Sequence, residues 1–214
     1  MAARPPVAVA GALAGLHLAR LRDAATPPGA FRRHAGALSA LVIAAALADL
    51  EGRDAEVVTP VAPAAARVPA RRITLVPILR AGLAMLEPGL ALLPDDARVG
   101  FLGLVRDERT LAPRGYLESL PAGLGEDEVV VLDPMIATGG SAVAAIAALW
   151  AAGASRMRLA GLIAAPEGLA AVAAAAPEVP VTVAAIDARL DGRGFIVPGL
   201  GDAGDRLYAE PAAP

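Results

Sequence analysis

Two hydrophobic patterns alternate along the chain from residue 70 onward. Short apolar runs, bounded by proline, glycine or charged residues, are typical of buried strands and cover residues 73–76, 99–104, 129–132, 159–163 and 181–186. Between them lie alanine- and leucine-rich stretches with helical spacing, over residues 81–93, 141–152 and 167–175. This alternation predicts an α/β fold with right-handed crossovers and a mainly parallel central sheet that carries helices on both faces.

The first 70 residues carry a more helical pattern. An apolar helical stretch covers residues 30–51, and the proline- and alanine-rich residues 59–69 are predicted to be a connector into the first core strand. The apolar residues 7–16 also fit a short signal-peptide core, although Gly11 and Gly15 interrupt them. At 214 residues the chain is long enough for one core, so we expect one domain with an N-terminal helical arm over residues 1–70 and a sheet core over residues 71–214.

Composition excludes several kinds of chemistry. The chain has no Lys, Asn, Gln or Cys, so a P-loop lysine, a Schiff base, a thiolate nucleophile, a zinc-thiolate site and a disulfide are all ruled out. A net charge of -3 argues against non-specific nucleic-acid binding, which needs a basic face. The two histidines, His17 and His34, lie in apolar helical patterns, where packing is the more common role.

The strongest chemical signal lies between residues 129 and 141. The strand predicted at residues 129–132 is followed by Asp133, and a loop with Gly139 and Gly140 leads into a helix that starts near Ser141. A helix start presents unpaired N–H groups and the positive end of the helix dipole, and paired glycines let a phosphate approach the backbone. Ligands of open α/β sheets bind at the carboxyl ends of strands, where Asp133 stands. The alternative is a helix N-cap by Thr138 or Ser141, with glycines that only turn the chain.

Two arginines follow neighbouring strands at the same predicted edge of the sheet. Arg80 leaves the strand before Gly82, and Arg106 leaves the next strand. Beside a phosphate-binding loop, such a pair suits a ligand with more than one phosphate. For each arginine alone, an ordinary surface ion pair is the simpler interpretation.

Two further segments are predicted to be irregular. Residues 106–125 are polar and interrupted by prolines and glycine, which favours a flap beside the site. Residues 192–206 are so rich in glycine that we expect a loop with exposed backbone N–H and C=O groups. Such a loop can read the edge of a flat heterocycle, with Asp202 and Asp205 adding charge, although an ordinary C-terminal turn also fits.

Taken together, these stretches resemble the uracil phosphoribosyltransferase family, which joins uracil to 5-phosphoribosyl 1-diphosphate. The resemblance extends over about residues 22–208 and rests on four motifs in the family's order: Val76-Pro77-Ile78-Leu79-Arg80-Ala81-Gly82, Leu132-Asp133-Pro134-Met135 with Ala137-Thr138-Gly139-Gly140-Ser141, Ala164-Ala165-Pro166-Glu167-Gly168, and Pro198-Gly199-Leu200-Gly201-Asp202-Ala203-Gly204-Asp205. It implies the type I phosphoribosyltransferase fold.

The resemblance also implies roles for individual residues. Phosphoribosyl diphosphate would be bound by Arg80, Arg106, Asp133, Pro134, Met135, Ile136, Ala137, Thr138, Gly139, Gly140, Ser141 and Asp202. Uracil would be contacted by Ile196, Gly201, Asp202 and Ala203, and the catalytic residues would be Asp202 and Arg106. Mg²⁺ would be held mainly through the substrate diphosphate, with no metal ligand assigned to the chain.

The chain departs from the family pattern mainly in its N-terminal third. The family's His-Pro-Leu and Tyr-Glu-Ala motifs appear as Gly11-Ala12-Leu13 and Ala44-Ala45-Ala46. Arg109, Leu117 and Phe195 replace common residues in or near the flap and the glycine-rich segment 192–206, which we call the base loop. Two alternatives therefore stay open beside uracil transfer: a related transferase with another base preference, and a ligand-binding or regulatory protein without turnover. We expect small-molecule substrates, no nucleic-acid or membrane partner, a cytoplasmic location, and a homodimer or larger homo-oligomer.

Overall fold

The computed structural model describes the backbone of residues 4–106 and 113–208 and the side chains of residues 4–104 and 115–208. Its helices are α1 (Ala12–Arg22), α2 (Pro28–Ala46), α3 (Leu83–Leu90), α4 (Gly140–Ala151), α5 (Pro166–Ala175) and α6 (Ala203–Tyr208). Its strands are β1 (Val7–Ala8), β2 (Gly52–Val58), β3 (Pro63–Pro69), β4 (Ile73–Leu79), β5 (Arg98–Val99), β6 (Phe101–Arg106), β7 (Pro113–Ser119), β8 (Glu128–Leu132), β9 (Met135–Ile136), β10 (Met157–Ala164), β11 (Val181–Ile186), β12 (Arg189–Leu190) and β13 (Ile196–Val197).

The central sheet follows the order β1-β11-β10-β8-β4-β6-β7, with β5 and β9 paired to β4 and β10. Its strands pair in parallel except for β7, which runs antiparallel to β6. The five strands predicted from sequence correspond to β4, β5 with β6, β8, β10 and β11. The predicted α/β class with a mainly parallel sheet is therefore confirmed.

Both faces of the sheet are covered, and β8 shows how the sequence achieves this. Successive side chains of a strand point to opposite faces. Val130 and Leu132 belong to a core with residues of α2 and α3, whereas Val129 and Val131 belong to a core with residues of α4 and α5. Burying each such side chain contributes about 1.5–3 kcal/mol. Because both faces of β8 are packed, its end is the part left for a ligand.

The helices near the site start where the sequence favours a start. Pro28 and Pro166 occupy the first turns of α2 and α5, where the missing N–H of proline costs no hydrogen bond. The helices predicted at residues 141–152 and 167–175 agree with α4 and α5 to within a residue or so. The other two are shorter than predicted, since α2 ends at Ala46 and α3 at Leu90.

The prediction that residues 59–69 form a connector was wrong. They are the second half of an antiparallel hairpin in which β2 and β3 pair from Gly52 opposite Pro69 to Val58 opposite Pro63. The turn is closed by Thr59, whose hydroxyl donates to the carbonyl of Ala62 at 2.8 Å. The two prolines stand at the ends of β3, where a strand tolerates them.

The segments predicted to be irregular are partly regular. Within residues 106–125, β7 pairs with β6 through a register shift at Gly103 and Leu104, and a 3-10 turn covers Leu124–Glu126. Residues 107–112 of the predicted flap lie outside the described part of the chain. In the 192–206 segment, β13 pairs with β12 and α6 begins at Ala203. Among the described residues, no helix is both long and apolar enough to cross a membrane.

Candidate functional site

Asp133 follows the last residue of β8, a strand enclosed between β4 and β10. Its backbone N–H donates to the carbonyl of Ala160 at 3.0 Å, which extends the sheet by one bond. Its side chain is buried, and Oδ1 accepts a bond from the N–H of Met135 at 3.3 Å. Burial raises the pKa of Asp133 to about 7, against the smaller opposing effect of that bond. The carboxyl group can therefore gain or lose its proton near neutral pH.

The loop after Asp133 leads into a helix whose N-cap residue is a glycine. Gly139 is the N-cap of α4 with a φ of 79°, and no side chain makes a capping hydrogen bond there. Thr138 Oγ1 lies 3.5 Å from the N–H of Gly140, too long for a strong bond. The alternative prediction, a helix capped by Thr138 or Ser141, is met only by this long bond to Thr138, because the N-cap position itself is Gly139. Because the N-cap residue is a glycine, an anion can approach the first turn of α4 and the positive end of its dipole closely.

The turn after β4 is packed against the end of β8. A Cβ added at Gly82 would lie 2.6 Å from the carbonyl oxygens of both Ile78 and Leu132, so only glycine permits this approach. The approach places exposed Arg80 at the edge of the sheet where Asp133 stands. The exit of β6 reaches the same edge at Arg106, but the side chain of Arg106 lies outside the described residues.

The C-terminal segment completes this edge of the molecule. Gly199 and Gly201 have φ values of 63° and 78°, a backbone region that favours glycine. Ile196 and Ala203 are buried, whereas Gly201 and Asp202 are exposed. Asp202 Oδ1 accepts a bond from the N–H of Asp205 at 2.9 Å at the start of α6. Asp202 therefore serves as a helix cap in this structure.

These segments enclose one cleft of about 340 Å³. The predicted site residues that line it come from three distant parts of the chain: Arg80, Met135, Ala137, Ile196, Gly201, Asp202 and Ala203. Pro134 and Ile136 are buried within the loop. Asp133, Thr138, Gly139, Gly140 and Ser141 are not among the lining residues and form the strand end and helix start behind Met135 and Ala137.

Five residues that line the cleft were not predicted as site residues: Ala81, Arg193, Gly194, Phe195 and Gly204. Arg193 and Phe195 line the cleft, and the Arg193 guanidinium lies 5.5 Å from the centre of the Phe195 ring. The sequence feature that could have indicated Arg193 and Phe195 is their position inside the glycine-rich segment 192–206. The family resemblance marks Phe195 only as a departure from the family pattern.

A larger concavity of about 440 Å³ lies at the opposite edge of the sheet. Its charged residues are already paired in part, because Arg158 contacts both Glu128 and Asp49. Ligands of parallel sheets bind at the carboxyl ends of the strands. The smaller cleft, beside Asp133, is therefore the better candidate for the functional site.

Comparisons with known proteins point to one family. The family model described as uracil phosphoribosyltransferase matches residues 9–209. A uracil phosphoribosyltransferase of Roseiflexus castenholzii is 51% identical over 191 residues, which cover 89% of this chain and 91% of that protein. A uracil phosphoribosyltransferase of Thermus thermophilus is 48% identical over 192 residues, covering 89% of this chain and 92% of that protein.

Solved structures show the same fold. The AQ2163 protein from Aquifex aeolicus matches with a TM-score of 0.91 and 36% identity, over 98% of this chain and 100% of that one. A hypoxanthine-guanine phosphoribosyltransferase from Bacillus anthracis matches with a TM-score of 0.51 and 10% identity, over 72% of this chain and 80% of that one. The second likeness concerns the fold alone, and it agrees with the type I phosphoribosyltransferase architecture implied by the motifs.

Proposed function

This chain belongs to the uracil phosphoribosyltransferase family, and from that premise we propose that the cleft beside Asp133 is its active site. The chain is a transferase of pyrimidine salvage that moves the phosphoribosyl group of 5-phosphoribosyl 1-diphosphate to uracil, giving UMP and diphosphate. The observation that supports this placement is the convergence of Arg80, Met135 and Asp202 on one cleft from three distant segments. We also propose that residues 1–214 form one domain, which carries this site.

The sugar phosphate is assigned to the loop between Asp133 and Ser141. The start of α4, where Gly139 is the N-cap residue, offers backbone N–H groups and the positive end of the helix dipole to the 5-phosphate. Asp133 stands at the strand end, where its carboxylate can accept hydrogen bonds from the ribose hydroxyls. Such bonds favour the charged form of Asp133, so binding would lower a pKa that burial holds near 7.

The arginines are assigned to the leaving group. The bond from C1 of ribose to the diphosphate breaks with its electron pair leaving on the diphosphate, while N1 of uracil bonds to C1 and loses its proton. Positive charge builds on the sugar and negative charge on the diphosphate in the transition state. Arg80 lines the cleft, where it can stabilise the departing diphosphate. The family resemblance assigns the same role to Arg106.

Magnesium enters this proposal through the substrate. Among the described residues there is no group of three or more His, Cys, Asp or Glu side chains that could hold a metal ion. The buried Asp133, with its raised pKa, is a weak ligand at neutral pH. Residues of this kind fit an ion that is coordinated mainly by diphosphate oxygens. When bound, Mg²⁺ neutralises part of the charge on the leaving diphosphate.

Uracil is assigned to the backbone of Ile196, Gly201 and Ala203. Uracil presents acceptor, donor and acceptor groups at O4, N3 and O2, whereas cytosine reverses the first two. A fixed set of backbone groups rejects cytosine because some of those groups would be left unpaired. Asp202 lines the same cleft, where a carboxylate can take the N1 proton or stabilise the positive sugar.

A homodimer or larger assembly is also part of the proposal. Three valines of the β2–β3 hairpin, Val57, Val58 and Val61, are 46%, 85% and 94% exposed. Exposed apolar side chains grouped on one hairpin favour an interface between subunits. A cytoplasmic location is proposed because phosphoribosyl diphosphate carries several charges and does not diffuse through a membrane.

One experiment tests the function. The protein is incubated with Mg²⁺, phosphoribosyl diphosphate and uracil, cytosine or a purine, and diphosphate and nucleotide are followed. UMP as the only nucleotide supports the proposal, whereas another nucleotide would show an altered base preference. Binding of phosphoribosyl diphosphate without any product would identify a non-catalytic protein.

A further inference from the structure

Both backbone polar groups of Gly199 are held by one pair of charged side chains. The N–H of Gly199 donates to Asp187 Oδ2 at 2.9 Å, and its carbonyl accepts a bond from Arg22 Nη1 at 3.1 Å. The two side chains also form a bidentate ion pair, with Nη1 to Oδ2 at 2.9 Å and Nη2 to Oδ1 at 2.5 Å. Gly199 is thus fixed from both sides by groups 12 and 177 residues away in sequence.

The ion pair between Arg22 and Asp187 joins the segment around Gly199 to α1 and to the central sheet. Asp187 directly follows β11, and its N–H donates to the carbonyl of Ala164 at the end of β10 at 2.8 Å. Arg22 is the last residue of α1. The side chains of Asp187 and Arg22 are 4% and 25% exposed, and neither lines the cleft.

The loop needs such support. Gly199 has a φ of 63°, and a Cβ there would lie 2.1 Å from the carbonyl oxygen of Ile196. Glycines give this segment many alternative conformations. Backbone groups discriminate between two pyrimidines only if the segment is held to within about 0.5 Å of one geometry. Ile196 and Gly201, which line the cleft, lie three and two residues from Gly199.

We propose that Arg22 and Asp187 are positioning residues for uracil recognition, acting through Gly199. The inference rests on the proposed function, because it assigns uracil to the backbone of Ile196, Gly201 and Ala203. Neither residue of the pair lines the cleft, so the pair would act through Gly199 and not on the substrate directly. Its role is to hold the orientation of those N–H and C=O groups, so its loss should affect uracil far more than phosphoribosyl diphosphate.

A second ion-pair cluster provides a matched control. Asp127 is 1% exposed, accepts a bond from Thr74 at 2.5 Å and pairs with Arg98 and Arg72. It precedes β8, at the opposite end of that strand from Asp133. None of these four residues lines the cleft. Asp127→Asn therefore weakens a buried ion pair without touching the base loop.

The test compares Asp187→Asn, Arg22→Lys and Asp127→Asn with the wild type. For each, the KM values for uracil and for phosphoribosyl diphosphate, the ratio of kcat/KM for uracil to that for cytosine, and the Tm are measured. We expect Asp187→Asn to raise the KM for uracil about 10-fold or more, the loss typical when the support of a site is removed. The KM for phosphoribosyl diphosphate should change by less than about threefold, and the preference for uracil over cytosine should fall.

Arg22→Lys keeps the charge but loses the fork that bridges Asp187 and Gly199, so it should show a smaller change in the same direction. Asp127→Asn should lower the Tm while leaving the KM for uracil unchanged. If Asp187→Asn lowers only the Tm, or raises both KM values equally, the pair is merely structural and the inference is wrong. If Asp187→Asn gives no folded protein, Arg22→Lys decides by the same criterion. A wild type that forms no UMP would instead refute the proposed function.

Discussion

The carbonyl oxygen of Gly168 lies so close to Gly139 that a Cβ at Gly139 would be 2.6 Å from it. The start of α5 meets the same loop at a second place, since a Cβ at Gly168 would lie 2.4 Å from the carbonyl oxygen of Ala137. The start of α5 thus presses on the loop that leads into α4. The shape of the proposed phosphate site therefore depends on Gly139, at the start of α4, and on Gly168, at the start of α5.

Gly168→Ala should therefore disturb the loop without removing any group that binds phosphate. The methyl group has no room against the backbone of Ala137, so the loop must shift. We expect the KM for phosphoribosyl diphosphate to rise about 10-fold or more, and stability to fall by about 1–3 kcal/mol. Gly15→Ala is the control, because a Cβ there meets nothing within 4 Å. An unchanged KM in Gly168→Ala would mean that the loop is not part of the site.

The raised pKa of Asp133 predicts how the free energy of unfolding depends on pH. Burial raises its pKa from 3.8 to about 7 in the folded chain, so between these values the folded state binds more protons than the unfolded state. The free energy of unfolding should therefore fall as pH rises from about 4 to 7, by up to about 1.4 kcal/mol per unit from this group. Denaturant titrations at several pH values measure the slope. In Asp133→Asn this contribution should vanish, and an unchanged slope in the variant would contradict the assignment.

The sheet core could be predicted because its strands are buried on both faces. Residues 129–132 of β8 and 159–164 of β10 are continuous apolar runs, a pattern that depends on local sequence alone. The β2–β3 hairpin was missed for the opposite reason. Its burial pattern is largely exposed, its residues are rich in Ala and Pro, and its pairing with a neighbouring segment leaves no hydrophobic signal.

The residues in and around the candidate site divide in the same way, into those that a local sequence pattern predicts and those that it does not. Asp133, Gly139 and Arg80 could be chosen from sequence because each stands at the end of a strand or the start of a helix. The pair of Arg22 and Asp187 could not, because the two residues are 165 positions apart and meet only after the chain folds. No local pattern distinguishes such an arginine from one on the surface.

Arg80 should matter for catalysis and not for stability. It is exposed and lines the cleft, so Arg80→Gln removes charge at the proposed diphosphate site while leaving the core intact. We expect kcat/KM for phosphoribosyl diphosphate to fall about 10²–10³-fold, as when a group that stabilises transition-state charge is lost. Arg106→Ala should act in the same direction. Both rates and thermal melting should be measured.

Arg156→Gln is the matched control for these arginines. Arg156 is exposed at the opposite edge of the sheet, so its loss should leave turnover unchanged. Unchanged turnover in Arg80→Gln or Arg106→Ala would remove that arginine from the site.

Asp202 has two possible roles, and one pair of variants separates them. Its Oδ1 caps α6 by accepting a bond from the N–H of Asp205, and its side chain also lines the cleft. Asn caps a helix about as well as Asp, whereas Ala costs about 1 kcal/mol at such a position. Asp202→Asn should therefore keep the Tm but lose the negative charge, and Asp202→Ala should lose both.

If the charge of Asp202 serves catalysis, both variants should lower kcat by a similar factor of about 10²–10⁴, the range for proton transfer by a positioned group. If Asp202 only shapes the loop, Asp202→Asn should retain nearly full kcat while Asp202→Ala loses activity together with stability. Steady-state rates and melting curves of the two variants decide between these outcomes. Because Asn preserves the cap, a large loss of kcat in Asp202→Asn can come only from the missing charge.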